Sequence, residues 1–171
     1  EATAADILVF LDGDYADDPT QLDQILGPLL RGEADLVIGT RNGPGSDPDA
    51  LPPHQRAGNR VCALLLRSLY RVPLDDVGSF RAIRADTLRS LHMQQMTYGW
   101  PVEMVVKAAR KGYRIQGVPV RYRRRIGESK VGGTMRGSLA AGYRMLLVIL
   151  RGALSRTDHL DTTAARAKGR P

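Results

Sequence analysis

The sequence predicts an α/β fold in which a partial, mostly parallel sheet is flanked by helices, and three observations point to it. A short, β-rich apolar run, Ile7-Leu8-Val9-Phe10-Leu11, is closed by the turn-forming Asp12-Gly13-Asp14, the pattern of a buried parallel strand. A helical pattern follows, and a second apolar run, Ala34-Asp35-Leu36-Val37-Ile38-Gly39, comes after it. Strand, helix and strand in that order form the unit of α/β sheets. The 171 residues are within the size of one ordinary domain, and 43% hydrophobic content suffices for a single core.

Each element follows from local chemistry. Pro19 opens the first helix, whose apolar positions Leu22, Ile25, Leu26, Leu29 and Leu30 keep a 3.6-residue period up to Gly32. Residues 42–53 are dense in Gly, Pro, Ser and Asp, which marks a loop long enough to be functional. A helix is expected from about Arg56 to Tyr70, and a strand over Val77 to Ile83. Asp86 can cap a short helix through Leu91, and Pro101 starts another through Lys111, ended by Gly112. Ile115 to Tyr122 alternates as a strand does, and a polar, glycine-bearing segment rich in arginine follows it. The last helix covers residues 134–154, with Leu139, Tyr143, Leu146, Leu147 and Leu150 on one side. Residues 1–154 are therefore expected to form the C-terminal part of a domain, with 155–171 a disordered basic tail. Only six residues precede the first strand, which would normally have neighbours on both edges, so a fragment of a larger sheet is expected.

Composition narrows the function. Cys62 is the only cysteine, which excludes a disulfide framework or thiolate metal cluster and fits a reducing, cytoplasmic setting. No uninterrupted apolar run of about 18 residues occurs, so neither a signal peptide nor a spanning helix is expected. The net charge of +7 is lopsided: residues 1–54 carry eleven acidic side chains against two basic, and 107–137 carry ten basic against one acidic. An acidic end can hold a divalent cation and a basic segment can hold phosphates or an anionic membrane surface. Two solvated faces would give the same charge pattern.

Asp12-Gly13-Asp14 is the sharpest chemical feature. Two carboxylates one residue apart beside a glycine turn can both reach one hard cation, and Mg²⁺ or Mn²⁺ keeps coordination positions open for diphosphate oxygens. Taken alone the same triplet is also a common turn.

Four motifs occur in order: Phe10-Leu11-Asp12-Gly13-Asp14, Val37-Ile38-Gly39-Thr40-Arg41, Asp76-Val77-Gly78-Ser79-Phe80-Arg81-Ala82, and Arg124-Arg125-Ile126-Gly127-Glu128-Ser129-Lys130. Over roughly residues 5–152 the chain resembles glycosyltransferase family 2, on its polyprenyl-phosphate and dolichyl-phosphate sugar synthase branch. The resemblance implies a GT-A fold, a UDP- or GDP-sugar donor, a polyprenyl-phosphate acceptor and metal-dependent, inverting transfer. It implies Asp12 and Asp14 as metal ligands and Asp14, Asp76 and Arg41 as catalytic groups. Arg41, Arg56, Glu103, Arg124, Ser129 and Lys130 are implied as substrate-binding, with the last three in a basic loop that cradles phosphate. An ordinary salt bridge for Arg41 and a buried structural hydrogen bond for Glu103 are the alternatives.

The chain departs from the family pattern in three places. Ala16 stands where members often place a glutamine, Gly78-Ser79-Phe80 replaces a Ser-Gly-Phe or Gly-Pro-Phe version, and the family's first strands, which hold the donor's base, have no counterpart. The catalytic residues can thus be present in a piece that is inactive alone. An embedded lipid acceptor implies a peripheral enzyme at the cytoplasmic face of the membrane, with Gly137 to Leu154 a candidate contact. Two rivals exist: a haloacid-dehalogenase-like phosphatase, which also places Asp-x-Asp after a strand, and a non-enzymatic anion-binding fragment. Only Tyr113 and Tyr122 lie near the arginines for base stacking, so nucleic acid is not an expected partner.

Overall fold

The computed structural model describes residues 5–127 and 135–154. Ser129, Lys130 and the expected tail lie outside the described residues. The chain order is β1 (Ile7–Phe10), a 3₁₀ turn (Pro19–Gln21), α1 (Leu22–Leu30), β2 (Leu36–Thr40), α2 (Pro53–Tyr70), β3 (Arg81–Arg84), α3 (Ala85–Leu91), α4 (Trp100–Arg110), β4 (Ile115–Pro119) and α5 (Met135–Leu154). Asp18 caps the turn before α1 by accepting from the Thr20 amide and hydroxyl, at 3.2 and 2.7 Å. Helix α2 starts a turn before the expected Arg56, because Pro52 and Pro53 preset the extended entry and the first helical φ.

The four strands lie in the order β1-β3-β2-β4. β2 and β4 are parallel, whereas β3 pairs antiparallel with both β1 and β2. The expectation of a mostly parallel sheet is corrected accordingly. Three strands run one way, but the opposed strand β3 sits between two of them, so two of the three ladders are antiparallel.

The reason lies in the connection from α2. Before β3 begins, Asp76 is bound to Arg41 at the carboxyl end of β2, and the Gly39 amide donates to Phe80 O at 2.7 Å. The chain therefore enters the sheet where β2 leaves it, and can only run back. An apolar run carries no sign of its own direction. Gly78 makes the approach possible, since a Cβ there would stand 2.0 Å from Gly39 O. β1 is an edge strand among the described residues, half-buried rather than enclosed.

β2 is buried along its whole length and divides its side chains between two cores. Leu36 and Ile38 face a cluster with Leu66, Val105 and Ile149 under α2, α4 and α5; Val37 faces Ile25, Leu29, Phe80 and Val120 under α1. The period of two along the strand makes both faces apolar, as a sheet covered on both sides requires. The apolar stripe expected on α5 divides differently. Ile149 is buried with Met145, Leu146 and Val148 against the core, while Leu139, Tyr143 and Leu150 remain exposed. Gly137–Leu154 is also long and apolar enough to cross a membrane by length and composition, with Arg144 and Arg151 inside it. That corrects the expectation that no such helix exists.

Leu66→Ala is expected to lower the unfolding free energy by about 2–5 kcal/mol, because the fully buried side chain leaves a cavity between α2 and the sheet. Leu139→Ala, at 74% exposure, should stay within about 0.5 kcal/mol of wild type in the same urea titration.

Candidate active site

The turn after β1 is held by the segment after β4. The Arg123 amide donates to Ala16 O at 2.8 Å, the Ile126 amide donates to Asp14 O at 2.9 Å, and Asp17 bridges Tyr122 in antiparallel fashion. Tyr15, at the apex, takes a left-handed backbone with φ +72°, a strained choice for a bulky residue. The Asp14 carboxylate braces the turn by accepting the Ala16 amide at 3.1 Å.

Extended backbone sends alternate side chains to one side, and arginines 121, 123 and 125 all meet the acidic loop. Arg121 and Arg123 stand 3.6 and 3.7 Å from the Asp18 carboxylate, and Arg125 stands 3.6 Å from Asp14 Oδ2. The Arg123 guanidinium also stacks 4.1 Å above the Tyr15 ring. Arg124, one position out of phase, is exposed and has no ion pair among the described residues. Sequence resemblance singled out Arg124; the geometry gives Arg125 the place beside Asp14. The alternation Arg121-Tyr122-Arg123-Arg124-Arg125, with its buried Tyr122, was the signal for that phase.

Beneath this surface lies a buried charge cluster. Arg41 and Asp76, assigned separate contacts in the sequence, are locked on each other by two side-chain hydrogen bonds of 2.6 Å, and the Arg41 amide adds a third at 3.1 Å. Both side chains are nearly enclosed, at 12% and 15% exposure, and the Tyr122 ring lies 5.3 Å below the guanidinium. Burial works against the Asp76 carboxylate, but the Arg41 hydrogen bonds and charge outweigh it and hold the group below its ordinary 3.8. The alternative of a salt bridge for Arg41 is thus what is found, in the interior rather than at the surface.

Arg81, Asp17 and Ser79 were not singled out from the sequence. Arg81 is fully buried and has no carboxylate partner among the described residues; it donates to the carbonyls of Gly78, Ser79 and Pro101, with Trp100 at 5.7 Å. Burial above all, then repulsion from Arg41, pulls its pKa down to about 10, against the pull of Asp12, Asp17 and Asp76. Asp17, only 2% exposed, accepts the Ser79 hydroxyl at 2.8 Å and the Asp12 amide at 3.3 Å through Oδ2, while Oδ1 has no partner among the described residues. Burial raises its pKa, the two hydrogen bonds oppose that, and the neighbouring Asp12 charge adds to it. Ser79 and Arg81 lie within the third motif without a role assigned to them, and Asp17 lies in no motif, because their roles depend on contacts across the sheet.

Two further predicted residues lie elsewhere. Arg56 donates to Leu51 O at 3.0 Å and braces the loop before α2. Glu103 is buried and bound to the Gln94 and Gln95 amides and to Lys107 Nζ at 2.8 Å, which is the structural hydrogen-bond alternative. Burial would raise its pKa, but these partners, Lys107 foremost, hold it low.

The donor set of the turn suits a hard divalent cation. Asp12 is exposed with no side-chain hydrogen bond among the described residues, and Asp14 offers Oδ2 with only the weak Arg125 contact. No third carboxylate, histidine or cysteine joins them among the described residues, so phosphate oxygens and water would have to complete the shell.

Asp76→Asn strands the Arg41 guanidinium in the interior and should lower stability near neutral pH by about 3–5 kcal/mol in urea titrations. The folded pKa of Asp76 lies below its unfolded value, so its contribution is complete above the unfolded carboxylate range and lost as pH falls through the folded value. The gap between wild type and variant should therefore close only in acid.

The profile described as Glycosyl transferase family 2 matches residues 1–91. The undecaprenyl-phosphate mannosyltransferase of Micrococcus luteus is 36% identical over 137 residues, which are 77% of this chain and 56% of that protein. A dolichyl-phosphate hexose transferase of Haloferax volcanii is 32% identical over 123 residues, 71% of this chain and 52% of that one. The chain thus spans about half the length of the curated relatives it matches. Among solved structures, glucosyl-3-phosphoglycerate synthase from Mycobacterium tuberculosis bound to phosphoglyceric acid superposes with TM-score 0.67 at 21% identity, covering 91% of this chain and 52% of that one. The same synthase solved with Mn²⁺, UDP-glucose and phosphoglyceric acid gives 0.65 at 20%, again covering 91% and 52%. The fold is therefore the GT-A fold of those transferases. With the family profile spanning the acidic turn, the Arg41–Asp76 pair and β3, the chain belongs to glycosyltransferase family 2.

Proposed function

We propose that this chain supplies the metal-binding and acceptor-binding part of an inverting glycosyltransferase that moves a hexose from a UDP- or GDP-sugar to a polyprenyl phosphate. One observation carries the reading: backbone hydrogen bonds join the turn of Asp12-Gly13-Asp14 to an arginine-bearing segment, and Arg125 stands 3.6 Å from the Asp14 carboxylate. An acidic turn and a basic strand held side by side are what a metal–diphosphate group needs, with the cation on one side and donors for phosphate oxygens on the other. The names of the relatives, one acting on undecaprenyl phosphate and one on dolichyl phosphate, support the acceptor class.

Asp12 and Asp14 would hold Mg²⁺ or Mn²⁺, and the solved synthase with Mn²⁺ and UDP-glucose supports a divalent ion. When bound, that ion supplies charge stabilisation to the departing diphosphate. Arg125 would share this role, and Arg124, exposed beside it, would meet the acceptor phosphate. Ser129 and Lys130, which lie outside the described residues, would add phosphate contacts, as the sequence resemblance implies. Arg41 and Asp76 act together as positioning residues: their pair fixes the end of β2 against the segment leading to β3, and so the floor under the arginine segment. A phosphate monoester is already ionised at neutral pH, so no strong general base is required. Attack from the face opposite the diphosphate inverts the anomeric centre.

The acceptor is embedded in lipid, and the exposed apolar side chains of α5 and α2 suit a peripheral enzyme at the cytoplasmic membrane face. Leu139, Tyr143 and Leu150 on α5 and Val61, Leu64 and Leu69 on α2 are all exposed, and Tyr70 Oη donates to Ile149 O at 2.5 Å to join the two helices.

In a full-length version of the enzyme, Asp14→Asn should lower the turnover number by at least roughly a hundredfold, the usual effect of losing an essential electrostatic element. Metal-dependent transfer at the wild-type rate would sink the reading.

A further inference from the structure

We propose that Asp17, held by Ser79, is a positioning residue for the cation turn: its carboxylate fixes the backbone of Asp12 and sets a buried negative charge beside the two ligands. The proposal rests on the reading of Asp12 and Asp14 as metal ligands and adds the group that keeps them in place.

The two ligands are anchored differently. Asp14 is tied to the arginine segment, since its carbonyl accepts the Ile126 amide at 2.9 Å, and its carboxylate accepts the Ala16 amide at 3.1 Å. Asp12 lies two residues beyond the end of β1 on an exposed stretch, and its amide donates to Asp17 Oδ2 at 3.3 Å. The same oxygen accepts the Ser79 hydroxyl at 2.8 Å. Ser79 has little room to move, because the residues on either side of it are packed on the end of β2. A Cβ on Gly78 would stand 2.0 Å from Gly39 O, and Phe80 O accepts the Gly39 amide at 2.7 Å. Asp17 is held from the arginine segment as well: its backbone bridges Tyr122, and its carbonyl accepts from Arg123 Nη2 at 3.3 Å. One carboxylate oxygen thus joins the loop of the first ligand to the sheet. Two carboxylates serve one cation only while their spacing is held, so the groups that brace them count for affinity almost as the ligands do.

A tie alone does not call for a charge. Asparagine in place of Asp17 would offer a carbonyl oxygen to the same two donors, whereas a carboxylate in the interior is costly, the more so with Oδ1 lacking a partner among the described residues. Arg41 and Arg81 attract the Asp17 charge, and Asp12 repels it. A divalent cation on the turn relieves that repulsion, because both carboxylates are then drawn to the ion. The charge that opposes burial therefore favours loading of the turn.

The test uses the 171-residue chain and Mn²⁺ alone, its binding followed by loss of the electron paramagnetic resonance signal of the free ion. Ser79→Ala removes the tie and keeps the charge; Asp17→Asn keeps the shape and removes the charge. Each should weaken Mn²⁺ binding by about tenfold or more, the usual effect of losing a group that orients metal ligands. Ser79→Thr, which restores a hydroxyl, should return to within about twofold of wild type. Ser90→Ala deletes a hydroxyl bonded at 2.7 Å to Thr87 O in α3; it should also stay within about twofold and controls for general loosening of the fold. Wild-type affinity in either Ser79→Ala or Asp17→Asn, or an equal loss in Ser90→Ala, would overturn the proposal. Circular dichroism melting checks the fold; should Asp17→Asn melt below the assay temperature, Ser79→Ala, at a half-buried hydroxyl, decides. Undiminished Mn²⁺ binding by Asp12→Asn/Asp14→Asn would instead remove the acidic turn as the site, a failure distinct from that of Asp17.

Discussion

Two backbone hydrogen bonds, Arg123 N to Ala16 O and Ile126 N to Asp14 O, set the geometry on which the site depends. They join a turn that carries the negative charge of the sequence to a strand extension that carries the positive charge, in a register that puts arginines 121, 123 and 125 over the acidic loop. Backbone pairing is indifferent to salt and to side-chain protonation, so this alignment persists when the ion pairs it creates are screened. The exposed pairs are individually worth little; their value is in where they leave charge.

The enclosed pair below them is of a different kind. Arg41 and Asp76 would each be expensive to bury alone, and their mutual hydrogen bonds offset that cost only while both are present. Because they sit at the carboxyl end of β2, the pair also determines where β3 enters the sheet and so why it runs antiparallel. Arg81, satisfied by three carbonyls instead of a carboxylate, places a buried positive charge within electrostatic reach of Asp12, Asp17 and Asp76. The acidic turn is thus supported from inside as well as from above.

Much of this was legible in the sequence. β2 and the helices α1, α3, α4 and α5 lie close to where periodicity, proline and glycine place them, because those signals act locally. The direction of β3 was not legible, since an apolar run looks the same from either end. The stripe on α5 mixed core and exposed residues: Leu146 packs inward and Leu139 outward, a distinction that depends on which neighbours the helix has. The acidic turn and the basic segment were both visible, but the choice of Arg125 over Arg124 needed the phase of the extended chain, and Asp17 and Arg81 needed contacts made across the sheet. For Glu103 the sequence left two readings open, and its carboxylate accepts the amides of Gln94 and Gln95, partners that no spacing announces.

The central claim is that the turn of Asp12 and Asp14 holds a divalent ion that in turn holds a diphosphate. Calorimetric titration of UDP and of GDP, with and without Mn²⁺, against wild type and Asp12→Asn/Asp14→Asn measures it directly. The account predicts nucleotide binding that requires Mn²⁺ in wild type and is lost in the double variant. Binding of equal strength in the double variant, or binding indifferent to the metal, would contradict it.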